Sequence, residues 1–131
     1  MTNHKSVHSL IDGQNTISLP PGTTVRAATK VMAKHKIGAV PVTESGRLIG
    51  IFTERDLISR VIAPEVDPDA TRLRDVMTPH PQTIDVAENA GKALQMMRDG
   101  GFRHLPVTHS GQLLGIVSIR DIPPEEWSAD A

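Results

Sequence analysis

The sequence has no cysteine, no tyrosine and three aromatic residues in all, Phe52, Phe102 and Trp127. Without cysteine there is no disulfide, no thiolate metal site and no thiol nucleophile. With so few aromatics the core must be built from aliphatic side chains, and a flat ligand cannot depend on aromatic stacking. Net charge is scarce too: 14 Lys+Arg against 15 Asp+Glu leave −1, with six histidines to titrate. That balance gives no general attraction to nucleic acid or to anionic membranes, so any phosphate binding must be local. No apolar stretch approaches the roughly 20 residues of a membrane span. The polar start from Met1 to Lys5 does not read as a signal peptide. These absences together point to a cytoplasmic protein.

What is present is a repeat. A shift of 65 residues lays Thr16–Leu57 over Pro81–Ile122 without a gap, and 12 of 42 positions are identical. Chance gives about one in sixteen at average composition, so the chain is an internal duplication. Repeat one is expected over residues 6–63 and repeat two over 72–126, with the Pro- and Asp-rich stretch 64–71 as linker.

Both copies parse alike. A short extended run (Thr16–Leu19; Gln82–Val86) leads to a helix opened by a capping residue, Thr24 or Asn89. Apolar residues at Val25, Ala28 and Met32, and at Ala90, Ala93 and Met97, fall on one helical face. Two short strands follow. Their connections, Glu44-Ser-Gly46 and His109-Ser-Gly111, have glycine third, which predicts three-residue hairpin loops with a bulge. A second helix is expected after Phe52 and again after Val117, giving βαββα with a short lead-in helix. A repeat of about 55 residues has little core of its own, so neither is expected to stand alone.

Three ordered signatures occur in each copy: a strand ending in Pro-Val (Ile37 to Val42; Phe102 to Val107), an aliphatic-Gly-Ile strand (Leu48 to Ile51; Leu113 to Ile116), and a hydroxyl-x-x-Asp segment (Thr53 to Asp56; Ser118 to Asp121). In this order, twice, they resemble the CBS (cystathionine-β-synthase) domain in its tandem form, the Bateman module. The resemblance implies an α/β (α+β) fold of two pseudo-symmetric βαββα repeats packed sheet to sheet, here as a free-standing pair. It implies a non-catalytic regulatory or sensor module that binds an adenine nucleotide (AMP, ADP or ATP) between the repeats. The nucleotide would be a regulatory ligand and not a cofactor. It further implies a homodimer that reports to a protein partner.

Read from the residues alone, Thr53-x-x-Asp56 and Ser118-x-x-Asp121 are capping boxes at helix starts. The resemblance gives them a second role: the carboxylate accepts from both ribose hydroxyls while the hydroxyl lies near phosphate, and both roles suit the groups. It also implies that each cleft combines the aspartate of one repeat with strand and lead-in residues of the other. One cleft is then expected to hold Thr53, Asp56, Thr78, His80, Phe102, Arg103 and His104. The other is expected to hold Ser118, Asp121, Thr16, Ile17, Ile37 and Gly38, and Ala39 belongs with Ile37 and Gly38 to the strand start that the resemblance gives to adenine. Arg103 and His104 stand where the first repeat has Gly38 and Ala39, so the first cleft is expected to favour phosphate.

Other features read more plainly. Arg26, Lys30 and Lys34 form a like-charge helical stripe, taken as a solvated face because no aromatics interleave to stack bases. His4 and His8 have helical spacing but no third ligand nearby, so no metal site is expected. Gly50 and Gly115 inside strands signal a close backbone approach. Two other readings remain open: a ligand-free dimerisation or interaction scaffold, and a site for another adenosyl compound such as NAD or S-adenosylmethionine.

Overall fold

The computed structural model describes residues 5–128. In chain order the elements are α1 (Val7–Ile11), α2 (Val25–His35), β1 (Ala39–Glu44), β2 (Arg47–Thr53), α3 (Glu54–Asp56), α4 (Leu73–Val76), β3 (Thr78–Pro79), β4 (Ile84–Asp85), α5 (Ala90–Gly100), β5 (His104–His109), β6 (Gln112–Ser118) and α6 (Pro124–Ser128). The chain divides into two compact units. One is Ile17–Pro81; the other joins the stretch up to Thr16 to the stretch from Gln82 onward.

The Ile17–Pro81 unit builds its core on an aliphatic helix face, as the periodicity predicts. Thr24 caps α2, its Oγ1 accepting the Ala27 N–H at 3.1 Å, and Val25, Ala28 and Met32 turn inward. They pack with Val40, Val42, Phe52, Val61, Leu73 and Val76. Each fully buried aliphatic side chain of this kind stabilises by roughly 1.5–3 kcal/mol relative to its exposed state. The helix stops where Lys36 turns left-handed, at φ 55°. Leu19 runs parallel beside β1, β1 pairs antiparallel with β2, and β3 pairs antiparallel with β2.

The hairpin differs from expectation in one respect. Glu44 faces Arg47, so the loop has two residues, Ser45 and Gly46, with φ of 52° and 78°. Two positive φ values make the primed turn that matches strand twist, in place of the three-residue loop. The bulge sits further along β2: Val42 faces Gly50 and Thr43 faces Leu48, which leaves Ile49 unopposed. The second hairpin repeats this at Ser110 and Gly111 (φ 52° and 82°), with Leu114 unopposed.

The other unit follows the same plan. Asn89 caps α5 by accepting the Lys92 N–H at 2.9 Å, and α5 ends at left-handed Gly101, φ 71°. Ala90, Ala93, Leu94 and Met97 meet Leu105, Val107, Val117 and Ile84, with β4 parallel to β5.

Both cores contain a helix borrowed from the other sequence repeat. Val7 and Ile11 of α1 lie in the core built by the second repeat, while Leu73 and Val76 of α4 lie in the first. The same joint fixes both. Val7 N–H donates to the Glu88 carbonyl and Ala90 N–H to Lys5, each at 2.8 Å. Leu73 N–H donates to Thr23 and Val25 N–H to Thr71, each at 2.9 Å.

The copies diverge after the last strand. In the first, α3 runs on as a π-helical stretch, Leu57–Ile62, with Ala63 N–H reaching back five residues to the Ile58 carbonyl at 2.9 Å. In the second, the expected helix is a single 3₁₀ turn, Ile119–Asp121, and a new short helix begins at Pro124. Pro123 and Pro124 account for the break: neither offers an N–H, and each pushes its predecessor from the helical region.

Candidate functional site

The hydroxyl-x-x-Asp segment of the first repeat forms a complete capping box. Asp56 N–H donates to Thr53 Oγ1 at 3.2 Å, while Thr53 N–H and Oγ1–H donate to Asp56 Oδ2 at 3.0 and 3.1 Å. The Asp56 residue is 6% exposed. Its second oxygen, Oδ1, accepts from Thr78 Oγ1 at 3.3 Å and faces Arg60 Nε at 3.7 Å. A carboxylate so buried is tolerated because each of its oxygens meets a donor or a positive charge.

The start of β1 lies beside this group. Ala39 is the register partner of Thr53, and the Gly38 carbonyl accepts the Glu54 N–H at 3.0 Å. Ile37 leans on the core of the unit and its N–H caps the Met32 carbonyl at 3.0 Å. Thr78 reaches Asp56 because β3 pairs with β2, Thr78 opposite Ile51. His80 follows with φ 46°, exposed, its N–H donating to the carbonyl of bulged Ile49 at 3.2 Å. One unit thus gathers Gly38, Ala39, Thr53, Asp56 and Thr78 around a single buried carboxylate. Ile17 lies in the same unit, half-buried.

The second copy is looser. Ser118 N–H donates to Asp121 Oδ2 at 2.8 Å, but Asp121 is exposed. Ser118 Oγ accepts the Arg120 N–H at 3.3 Å. His104 is the register partner of Ser118, and the Arg103 carbonyl accepts the Ile119 N–H at 2.8 Å. Arg103 is exposed and His104 half-buried. Phe102 packs against the core of its unit and against Gly100, where its ring fills the space a Cβ would take. Thr16 Oγ1 lies 3.3 Å from the carbonyl of bulged Leu114. The two expected residue sets each draw on both compact units. Within a unit, the start of the strand lies beside its own repeat's aspartate.

This double pattern of buried Pro-Val strand, bulged glycine strand and capped aspartate has a family counterpart. The CBS domain profile matches residues 11–63 and 73–122. The chain belongs to the CBS domain family. Its two CBS domains form a tandem pair of mixed α/β fold. Among curated relatives, the CBS domain-containing protein CBSCBSPB3 of Arabidopsis thaliana is 39% identical over 104 residues, 79% of this chain and 19% of that protein. The chain therefore spans about a fifth of the length of this curated relative. Among solved structures, the CBS-domain containing protein ATU1752 from Agrobacterium tumefaciens is 32% identical, with a TM-score of 0.82, covering 97% of this chain and 100% of that one. The CBS domain protein PAE2072 from Pyrobaculum aerophilum, solved in complex with AMP, is 26% identical, with a TM-score of 0.86, over 96% and 99% of the two chains.

Two residues that sequence reasoning did not single out serve these CBS repeats. Arg60 holds the Val76 and Met77 carbonyls through Nη1 at 3.0 and 2.8 Å while its Nε faces Asp56. Its spacing, four residues after Asp56, is a helical ion-pair signal that was there to be read. Gln14 exchanges both hydrogen bonds with Ile116, donating to the carbonyl at 2.9 Å and accepting the N–H at 2.8 Å. In the first copy the equivalent strand residue, Ile51, faces the backbone of Thr78 instead. No local pattern announces Gln14, because its partner is 102 residues away.

His4 lies outside the described residues. Among the described residues, no helix is long and apolar enough to cross a membrane.

Proposed function

We propose that this CBS pair is a non-catalytic sensor that binds an adenine nucleotide, most simply AMP, with Asp56 as its principal ribose acceptor. The observation that carries this reading is the buried Asp56 carboxylate. It stands at a helix start, beside the half-buried bend at Gly38 and the hydroxyls of Thr53 and Thr78. The less engaged Oδ1 of this carboxylate can accept from a ribose hydroxyl, and the aliphatic Ile37 supplies apolar surface for a purine where the chain lacks aromatics. The AMP complex of the Pyrobaculum aerophilum relative supports the choice of ligand. Arg103, His104 and His80 are the basic groups assigned to phosphate in this reading, and Asp121 with Ser118 and Thr16 forms the weaker site.

The completed capping box favours a second reading, in which Asp56 is structural and the pair is a scaffold. Calorimetric titration with AMP, ATP, NAD and S-adenosylmethionine separates the two. We expect AMP binding that Asp56→Ala weakens by about ten- to a hundredfold, the loss typical of a charged hydrogen-bond partner. Absence of heat with every compound, together with no thermal stabilisation by any of them, assigns the scaffold.

A further inference from the structure

Asp56 spends its two oxygens unequally. Oδ2 is committed to the cap by two hydrogen bonds, at 3.0 and 3.1 Å, both from Thr53. Oδ1 is held loosely. Thr78 Oγ1 stands 3.3 Å away, long for a hydroxyl–carboxylate bond, and Arg60 Nε at 3.7 Å makes an ion pair without a hydrogen bond. A ligand hydroxyl that donates to this carboxylate must therefore compete for Oδ1 and not for Oδ2.

The two groups at Oδ1 lead to the same piece of chain. Thr78 begins β3, and the Arg60 Nη1 holds the carbonyls of Val76 and Met77, the last turn of α4 and the residue after it. A cation at a helix C-terminus satisfies carbonyls that lack partners within the helix. One guanidinium thus bridges the buried carboxylate and the end of the helix that this unit borrows from the second repeat. The guanidinium is rigid and planar, so a change in what Nε faces is transmitted to what Nη1 holds.

We infer that Arg60 is a positioning residue which couples occupancy of Asp56 Oδ1 to the α4–β3 segment, residues 73–79. This rests on the reading of Asp56 as a ligand carboxylate. A ligand hydroxyl at Oδ1 displaces the Thr78 hydroxyl and weakens the pull on Arg60, and the 73–79 segment reports the event. Arg60 does not touch the ligand; it carries the consequence of binding away from it.

The test pairs calorimetry with amide hydrogen exchange on the full chain, with and without AMP, in the parent and in Arg60→Lys and Arg60→Met. In the parent, AMP is expected to alter exchange both at residues 53–57 and at 73–79. In both variants, AMP affinity is expected to fall less than about fivefold, since Arg60 does not touch the ligand and its contact with Asp56, at 3.7 Å from a half-exposed guanidinium, is long. The response at 53–57 should remain while that at 73–79 is lost. An unchanged 73–79 response in the variants overturns the coupling. Joint loss of affinity and of both responses also overturns it, since Arg60 would then belong to the binding surface. If the parent binds no AMP, the nucleotide reading falls, and a ligand-free arm still decides the coupling. In chains carrying Thr78→Val, Asp56→Asn is expected to speed exchange at Val76 and Met77 severalfold with Arg60 present, and not with Arg60→Met. Equal acceleration in both backgrounds overturns it.

Discussion

The two aspartates of the repeats share a motif but not an environment, and replacing each with alanine measures the difference. Asp56→Ala removes the acceptor for Thr53 N–H, Thr53 Oγ1–H and Thr78 Oγ1–H, and leaves Arg60 Nε facing no charge. A hydrogen bond to a charged acceptor contributes about 1.5–3 kcal/mol, and loss of a cap costs about 0.5–2 kcal/mol. These overlap, because the same Thr53 donors count in both, so their sum overstates the loss. The expected destabilisation is about 2–3 kcal/mol, a fall in Tm of roughly 6–15 °C for a chain of this size. Asp121→Ala removes one acceptor, that of Ser118 N–H at 2.8 Å, at an exposed position where water takes its place. Its expected cost is about 0.5–1 kcal/mol. Urea unfolding without nucleotide, monitored by Trp127 fluorescence and by circular dichroism, gives both values. Equal losses at the two positions refute the argument that burial and the Thr78 and Arg60 contacts distinguish the sites. A gain in stability for Asp56→Ala refutes it differently. It would mean that the carboxylate is kept for binding at a cost to the fold.

Gly50 tests the close approach in β2, since a Cβ there would lie within the side chain of Met77. Gly50→Ala is expected to cost about 1–3 kcal/mol, and a double-mutant cycle with Met77→Ala should show favourable coupling above about 0.5 kcal/mol. Strict additivity would place the strain elsewhere. Asp85 tests acid sensitivity: the Ala87 N–H at 2.9 Å, and then His109 at 3.4 Å, hold its carboxyl below the usual range. A lowered folded-state pKa adds stability that is fully present above the unfolded value and disappears as pH falls through the folded one. The advantage of the parent over Asp85→Asn, followed by unfolding at a series of pH values, should therefore be present near neutrality and vanish in strong acid. An advantage that persists in strong acid contradicts the assignment.

Much of this architecture could be read before any coordinates, and the reasons are local. Thr24 and Asn89 announce their helices because a side-chain oxygen that satisfies an N–H three residues on is a chemical requirement at that position. Gly46 and Gly111 announce turns for a similar reason. The loop length escaped because Ser45 and Ser110 also adopt positive φ, which serine does not advertise. The missing closing helix of the second repeat was legible in Pro123-Pro124, but the analogy between the copies outweighed two residues that locally forbid it. Thr53 and Asp56 were found by motif, whereas the burial of Asp56 depends on Thr78 and Arg60, which arrive through strand pairing and the return of the chain. The borrowed helices were hidden for a deeper cause. Periodicity marks which face of α1 or α4 is apolar but carries no address for its partner.

That exchange of helices has a consequence for how the chain can be divided. A fragment ending near the linker would present an empty berth for Leu73 and Val76, and an unmatched helix bearing Val7 and Ile11. The duplication makes these ends nearly complementary, so a severed half carries both the plug and the socket for another copy of itself. The tandem chain closes that circuit internally. A single repeat is therefore an interlocking part with its fastening left open, and covalent linkage lets the two halves fasten to each other before they fasten to strangers.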